Sequence, residues 1–161
     1  VNIQADEPLI HPTMIEAVAR GLLDDNRVSM STVMKKIENA QEVNDPNVVK
    51  VVVDKNNFAL YFSRTPIPYR AHSSEVKSPN YYKHIGLYGY TKDFLFIYKN
   101  LPVSNLEKIE RLEQLRVLEE GFRIKVIETK YDTIGVDTPE DLERVKQYLR
   151  KSQHKHKTND D

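Results

Sequence analysis

The opening segment of the chain constrains the fold most, because it joins a strand, an acidic loop and a helix. Val1 and Ile3 lie on one face of a predicted strand, and Pro8 ends that strand because proline removes a hydrogen-bond donor and fixes φ. Pro12 then begins a predicted amphipathic helix that continues to about Leu23. A strand, a loop and a helix in succession form half of a βαβ unit, so the sequence predicts an α/β fold with this strand buried in its sheet.

The rest of the chain alternates further strands with helices. The predicted strands span residues 28–34, 48–53, 58–63, 83–90 and 123–129. The second and third of them flank a turn-forming sequence and predict a β-hairpin. Ser104 and Glu107 form a capping box and Gly121 is typical of a helix end, so one helix is predicted from about Asn105 to Glu120.

Composition fits one globular domain and argues against several classes of partner. The 161 residues are 39% apolar, which suffices for a core over residues 1–150, whereas the polar segment 151–161 is predicted to be a disordered tail. Lys+Arg 24 and Asp+Glu 24 leave no net charge, which argues against nucleic-acid and anionic-membrane binding. The sequence has no cysteine and no apolar run of roughly 20 residues, so we predict a cytoplasmic protein without disulfides or membrane insertion.

Two aspartates, Asp6 and Asp137, each follow an apolar segment that ends at a loop. In open α/β sheets ligands bind beyond the carboxyl ends of the strands, and Mg²⁺ takes one or two carboxylates. The pair is therefore a candidate cation site. The alternative is that both side chains only stabilise a turn or a helix start, positions that attract acids for local hydrogen-bonding reasons.

Four polar residues at or near predicted strand ends are considered as ligand contacts. Arg64 follows the hairpin, where its guanidinium suits a carboxylate but equally suits a surface salt bridge. His84 suits either a polyol hydroxyl or a backbone carbonyl. Tyr88 and Tyr90 lie on one strand face, and one of them is predicted to pack in the core while its hydroxyl faces a ligand.

Glu113 and Gln114 lie beside core positions of the predicted 105–120 helix. An acid and an amide next to buried leucines suit the wall of a polar pocket. The alternative is an ordinary solvated helix face, so the spacing alone leaves both interpretations open.

These motifs occur together in a recognisable order. Five blocks, at residues 2–8, 61–68, 84–90, 106–118 and 135–142, resemble in sequence and order the 3-deoxy-manno-octulosonate (Kdo) cytidylyltransferase family. The resemblance covers residues 1 to about 146. It implies an α/β, Rossmann-like nucleotidyltransferase fold of the glycosyltransferase-A-like type, with three layers around a mixed sheet, and a homodimer that uses the hairpin.

The resemblance also implies an activity. Members of this family transfer CMP from CTP to Kdo with release of pyrophosphate, for lipopolysaccharide synthesis, and use Mg²⁺. Asp6 and Asp137 resemble the family's catalytic metal ligands, and Arg64 is the expected partner of the Kdo carboxylate. The family's sugar-acid contacts correspond to Gln4, Arg64, His84, Tyr88, Glu113 and Gln114.

Two departures from the family pattern modify these expectations. Ala5 stands where the family usually has glycine, which costs about 1 kcal/mol if that residue needs φ > 0. The family's N-terminal portion, with the loop that grips the triphosphate, has no counterpart here, so we expect a partial sequence that alone does not turn over CTP. Two alternatives stay open: a cytidylyltransferase for another sugar acid (8-amino-Kdo or sialic acid), and a non-catalytic sugar-acid-binding or dimerisation module.

Overall fold

A mixed β-sheet forms the centre of the protein in the computed structural model. The structure describes residues 1–25, 27–71, 80–136 and 138–157, with the side chains of 151–157 left aside. Within these residues the strands are β1 Asn2–Ile3, β2 Met30–Lys36, β3 Lys50–Val53, β4 Ala59–Ser63, β5 Tyr82–Tyr90 and β6 Ile124–Glu128. The helices are α1 Pro12–Leu23, α2 Ala40–Asn44, α3 Lys92–Asn100, α4 Asn105–Glu110, α5 Gln114–Glu119 and α6 Pro139–Lys157.

The strand order explains why the sheet is mixed. The main path is β4-β3-β5-β2-β6, and β1 pairs with β5 beside it. Strands β2 and β6 are parallel, whereas the other pairs are antiparallel. The long strand β5 therefore contacts β1, β2 and β3, so its side chains are held in place by three neighbouring strands.

Helices cover both faces of the sheet. On one face Met14 and Val18 of α1 pack against Val33, Ile85 and Leu87. The core of the other face joins the sheet to α3 and α5 through side chains that include Met30, Met34, Phe62, Tyr88, Phe94, Leu115 and Val117. Burial of apolar area on both sides stabilises the sheet as a middle layer. The predicted three-layer α/β fold with a mixed sheet is confirmed.

The β3–β4 hairpin is confirmed as well. The Asp54 carboxylate accepts hydrogen bonds from the backbone N–H groups of Asn56 and Phe58, at 2.8 and 2.9 Å, and Asn57 takes the left-handed conformation with φ 60°. Phe58 also forms an antiparallel bridge with Lys125 of β6. The start of β4 thus touches the strand at the opposite end of the main path.

The single helix predicted from Asn105 to Glu120 is wrong. Helix α4 ends at Glu110, Arg111 adopts a left-handed conformation with φ 56° and ψ 47°, and α5 begins only at Gln114. The predicted capping box at the start of α4 is present. Helix α4 contains no buried residue, and Ile109, predicted on the apolar face, is 77% exposed.

Two further predictions differ from the structure. Strand β1 pairs with β5 but is not buried. Ile3 is 45% exposed and the preceding Val1 is 60% exposed, and neither belongs to the core on either face of the sheet. Helix α6 continues to Lys157, since no proline or glycine interrupts it, and so includes part of the segment 151–161 that was predicted to be a disordered tail; residues 158–161 lie outside the described residues. None of the helices in the described ranges combines the length and the apolar character that a bilayer span requires.

Candidate functional site

A cavity of about 660 Å³ gathers most of the predicted site residues. It lies where β1, β4 and β5 meet the junction of α4 and α5. Seven of the eight predicted residues line it, namely Gln4, Asp6, Arg64, His84, Tyr88, Glu113 and Gln114. The eighth, Asp137, lies outside the described residues. Segments distant in sequence therefore converge on one polar cavity, whereas the role of each residue stays a prediction.

Strand β5 supplies one wall of the cavity by simple alternation. His84, Gly86 and Tyr88 are two residues apart and share a face of the strand. The absence of a side chain at Gly86 makes room for Gln4, because a Cβ there would lie 3.0 Å from Gln4 Cδ and closer still to Gln4 Oε1. Gly86 thus allows the Gln4 carboxamide to lie against the wall.

His84 is held in one tautomer. The Thr32 hydroxyl donates to the Leu87 carbonyl at 2.8 Å, so its oxygen accepts from His84 Nε2–H at 2.9 Å. Nδ1 is then a hydrogen-bond acceptor. Burial lowers the pKa of His84 to about 3, so the imidazole is neutral near pH 7 and suits a hydroxyl better than an anion.

Tyr88 is the tyrosine that both packs in the core and lines the cavity. It is 2% exposed, and its ring lies 5.4 Å from that of His84 and 6.2 Å from that of Tyr90. Burial raises the pKa of Tyr88 well above its usual value, and the nearby Glu113 carboxylate adds to this, so the phenol keeps its proton. Tyr90 does not line this cavity.

Arg64 presents a cation that no carboxylate of the described residues pairs with at ion-pair distance. Its guanidinium instead donates to the backbone oxygens of Glu110 at 2.8 Å, Pro46 at 3.0 Å and Arg111 at 3.5 Å. Neutral partners orient the group without cancelling its charge. A guanidinium fixed in this way is available to an anionic ligand.

The junction between α4 and α5 places Glu113 and Gln114 at the cavity. Gln114 is 2% exposed, and its Nε2 is a buried donor without a hydrogen-bond partner among the described residues. An unpaired buried amide costs about 1–3 kcal/mol, so an acceptor supplied by a ligand is the natural partner. Glu113 is exposed and touches the same cavity.

Asp6 lies next to the segment that leads to Asp137. The backbone oxygen of Asp6 accepts a hydrogen bond from Val136 N at 2.8 Å, and Val136 directly precedes Asp137 in the sequence. The described residues contain no group of three or more His, Asp or Glu side chains that would hold a metal by themselves. A site of one or two carboxylates is nevertheless compatible with Mg²⁺, which keeps water and phosphate oxygens as its other ligands.

The structure adds residues that the sequence did not indicate. Lys83 lines the cavity and pairs with Glu42 at 3.1 Å and with Asp132 at 2.9 Å, and Lys35 also pairs with Asp132, at 2.7 Å. Burial lowers the pKa of Lys83, but the two acids outweigh this effect and raise it overall. A charged strand residue before His84 was the only sequence signal.

Two more residues, Lys50 and Glu110, hold Arg64 and were missed for different reasons. Lys50 is fully buried within β3, and the apolar residues beside it in the sequence do not indicate which groups its ammonium binds. Glu110 resembled any solvated acid of a helix surface. The only sequence signal was that Lys50 is a single lysine within an apolar segment, which indicates a buried cation but not its partners.

Comparisons with known proteins identify the family to which the chain belongs. The sequence model of the cytidylyltransferase family matches residues 1–127. The 3-deoxy-manno-octulosonate cytidylyltransferase of Solibacter usitatus is 54% identical over 153 residues, covering 94% of this chain and 60% of the relative. The enzyme of the same name from Syntrophotalea carbinolica is 53% identical over 156 residues, covering 93% of this chain and 62% of the relative.

A solved structure gives the same result. The CMP:2-keto-3-deoxy-manno-octonic acid synthetase in complex with CTP superimposes with a TM-score of 0.84 at 40% identity, over 94% of this chain and 61% of that one. The chain thus spans about 60% of the length of the proteins it matches. Its sheet and helices form an α/β nucleotidyltransferase fold. The family model, the relatives and the fold all agree, and the chain belongs to the cytidylyltransferase family.

Proposed function

We propose that this chain carries the sugar-acid site of a Kdo cytidylyltransferase, an enzyme that transfers CMP from CTP to Kdo. The observation that carries the proposal is the Arg64 guanidinium, which lines the cavity without a carboxylate partner among the described residues. Kdo offers a carboxylate for this cation and several hydroxyls for neutral groups. The names and the CTP complex of the relatives support CTP as the second substrate.

The reaction needs little covalent chemistry from the protein. The anomeric hydroxyl of Kdo loses its proton to solvent as its oxygen forms a bond to the α-phosphorus of CTP. The bond from that phosphorus to the oxygen that bridges to the β-phosphate breaks, and pyrophosphate leaves with the electron pair of that bond. Rate enhancement then depends on positioning and on charge stabilisation. Arg64 would bind the sugar carboxylate, while neutral His84 and the Gln114 amide would bind uncharged oxygens.

We further propose that Asp6 and Asp137 hold Mg²⁺, which would neutralise phosphate charge when bound. The bond from Val136 N to the Asp6 oxygen supports this pairing. Binding of Mn²⁺ in place of Mg²⁺, measured by water-proton relaxation, should be lost in Asp6→Asn. The exposed Asp93 of α3 provides the control Asp93→Asn, which should retain binding.

A homodimer in the cytoplasm completes the proposal. Exposed apolar side chains, among them Leu60 of β4 at 61% and Phe96 of α3 at 60%, support an interface between copies. The absence of cysteine supports a reducing compartment. Sedimentation of the chain at increasing concentration tests the dimer, and fractionation of the source cells tests the location.

Direct binding measurements test the sugar acid itself. Titration calorimetry of the chain with Kdo, 8-amino-Kdo and sialic acid should give the tightest binding for Kdo. The C1 amide of Kdo, which lacks the negative charge, should bind at least tenfold more weakly. Tighter binding of another acid would reassign the substrate, and binding of none of them at millimolar concentration would overturn the proposal.

A further inference from the structure

The orientation of Arg64 depends on Lys50 and Glu110, two residues for which the sequence predicted no role. Within the described part of the chain its guanidinium donates to backbone oxygens alone, so its position is no better defined than the segments that carry those oxygens. These segments are the loop around Pro46 and the end of α4 at Glu110 and Arg111. Whatever fixes both segments relative to β4 also fixes the cation in the cavity.

Lys50 ties one of these segments to Arg64. Its side chain is fully buried, and Nζ donates to the backbone oxygens of Asp45 at 2.7 Å, Val48 at 2.6 Å and Arg64 at 2.6 Å. The three N–H donors of the ammonium are therefore all used. Asp45 directly precedes Pro46, so one buried ammonium holds both the backbone of Arg64 and the loop that receives its guanidinium.

Glu110 ties the other segment to the same residue. Its carboxylate accepts from the Ser63 hydroxyl at 2.7 Å and from the backbone N–H of Arg64 at 3.0 Å, while its own backbone oxygen accepts from Arg64 Nε at 2.8 Å. The side chain of Glu110 thus binds the backbone of Arg64, and its main chain binds the Arg64 side chain. The Ser63 hydroxyl, itself buried, adds a third point of attachment.

We propose that Lys50 and Glu110 are positioning residues that set the direction of the Arg64 guanidinium toward the carboxylate of the sugar acid. The inference rests on the proposed function for the ligand, and on the hydrogen bonds above for the mechanism. A bidentate carboxylate contact tolerates errors of only about 0.5 Å. Neither Lys50 nor Glu110 lines the cavity, so both would act through Arg64 on the preference for an acid over an uncharged analogue.

The first experiment needs no ligand. In Lys50→Met the side-chain volume is kept but the ammonium is removed, so the exchange of Arg64 Nε–H with solvent, followed by NMR, should accelerate at least tenfold. The matched control is Lys55→Met in the exposed hairpin turn, which should leave this exchange unchanged. An unchanged rate in Lys50→Met would overturn the proposal.

A second variant covers the case in which the buried substitution prevents folding. Glu110→Gln keeps the size of the side chain and the main-chain contact, but presents an amide group to one of two donors, Ser63 Oγ–H or Arg64 N–H. It should also accelerate exchange at Arg64 Nε–H. Retention of full protection in this variant counts against the proposal in the same way.

The second experiment compares Kdo with its C1 amide by calorimetry. Positioning of Arg64 predicts that Lys50→Met raises the Kd for Kdo about tenfold while the Kd for the amide changes less than twofold. A purely structural role predicts equal weakening of both ligands, which would contradict the proposal. If the unmodified chain binds neither ligand, the proposed function fails, whereas the exchange measurement still decides the role of Lys50.

Discussion

His84 Nε2 lies 2.9 Å from Thr32 Oγ1, and this bond links β5 to β2 across the sheet. Because the threonine hydroxyl is already committed as a donor to Leu87, the ring nitrogen must be protonated and Nδ1 must accept. The relation fixes the ring and its tautomer at once. A second proton would go to Nδ1, and its cost comes from the desolvation of this partly buried ring.

Acidification should therefore destabilise the protein through His84. Burial sets its pKa at about 3 in the folded state against 6.5 when exposed, so the unfolded state binds the extra proton first. The stability is fully present above pH 6.5 and is lost as the pH falls toward 3. Linkage gives a loss of roughly 2 kcal/mol between pH 7 and 5 from this group. Urea unfolding at both pH values should show that His84→Gln loses less unfolding free energy between pH 7 and 5 than the unmodified protein. An equal loss in the two proteins would contradict the assignment.

Arg64→Lys should weaken Kdo binding by about 10- to 100-fold, because an ammonium cannot reproduce the planar pair of donors. The measurement is calorimetry with Kdo at constant ionic strength. Arg20→Lys in α1 is the matched control, since Arg20 forms a surface salt bridge with Glu16 away from the cavity. Equal affinities of the two variants would remove Arg64 from the site.

Gln114→Met should stabilise the free chain while weakening ligand binding. The substitution replaces a buried donor that lacks a partner with an apolar side chain of similar size, which is worth about 1 kcal/mol. Urea unfolding gives the stability and calorimetry with Kdo gives the affinity. A less stable variant would mean that the amide is already satisfied in the free protein.

Gly86→Ala should reduce Kdo affinity without a large loss of stability. The three heavy atoms nearest to the added Cβ all belong to the Gln4 side chain, which can rotate away from the wall but then leaves its place in the cavity. Gly121→Ala provides the contrast. Its φ of +79° imposes a strain of about 1 kcal/mol at a position with open space around it, so stability should fall and affinity should not. Identical behaviour of the two variants would contradict the role of Gly86.

Seven of the eight residues predicted from the sequence line one cavity, and they belong to short sequence blocks that occur in the order of the family. Gln4, Arg64, His84 and Gln114 come from four separate blocks, and the fold brings them to one place. No single spacing contained that information. The resemblance of the ordered blocks to a family carried it, and each isolated residue had an equally acceptable local explanation.

The residues that sequence reasoning missed act through the backbone. Lys50 binds three carbonyl oxygens, and every residue type offers the same carbonyl, so no partner side chain marks the contact in the sequence. The break at Arg111 was missed for a related reason, since neither glycine nor proline signals it. The pattern of side chains indicates which faces of an element are buried, but not which backbone carbonyl oxygens need a hydrogen-bond donor from elsewhere in the chain.

The bridge between Phe58 and Lys125 has a consequence for how copies of this protein behave in concentrated solution. Unpaired backbone groups on an outer strand invite strands of other molecules to add on, which is a common route to aggregation. Here Asn57 O accepts from Val126 N at 2.8 Å, and the Arg123 side chain lies 3.6 Å above the Phe58 ring. At this corner the sheet's two outer strands occupy each other's hydrogen-bonding groups, which protects them from a foreign strand.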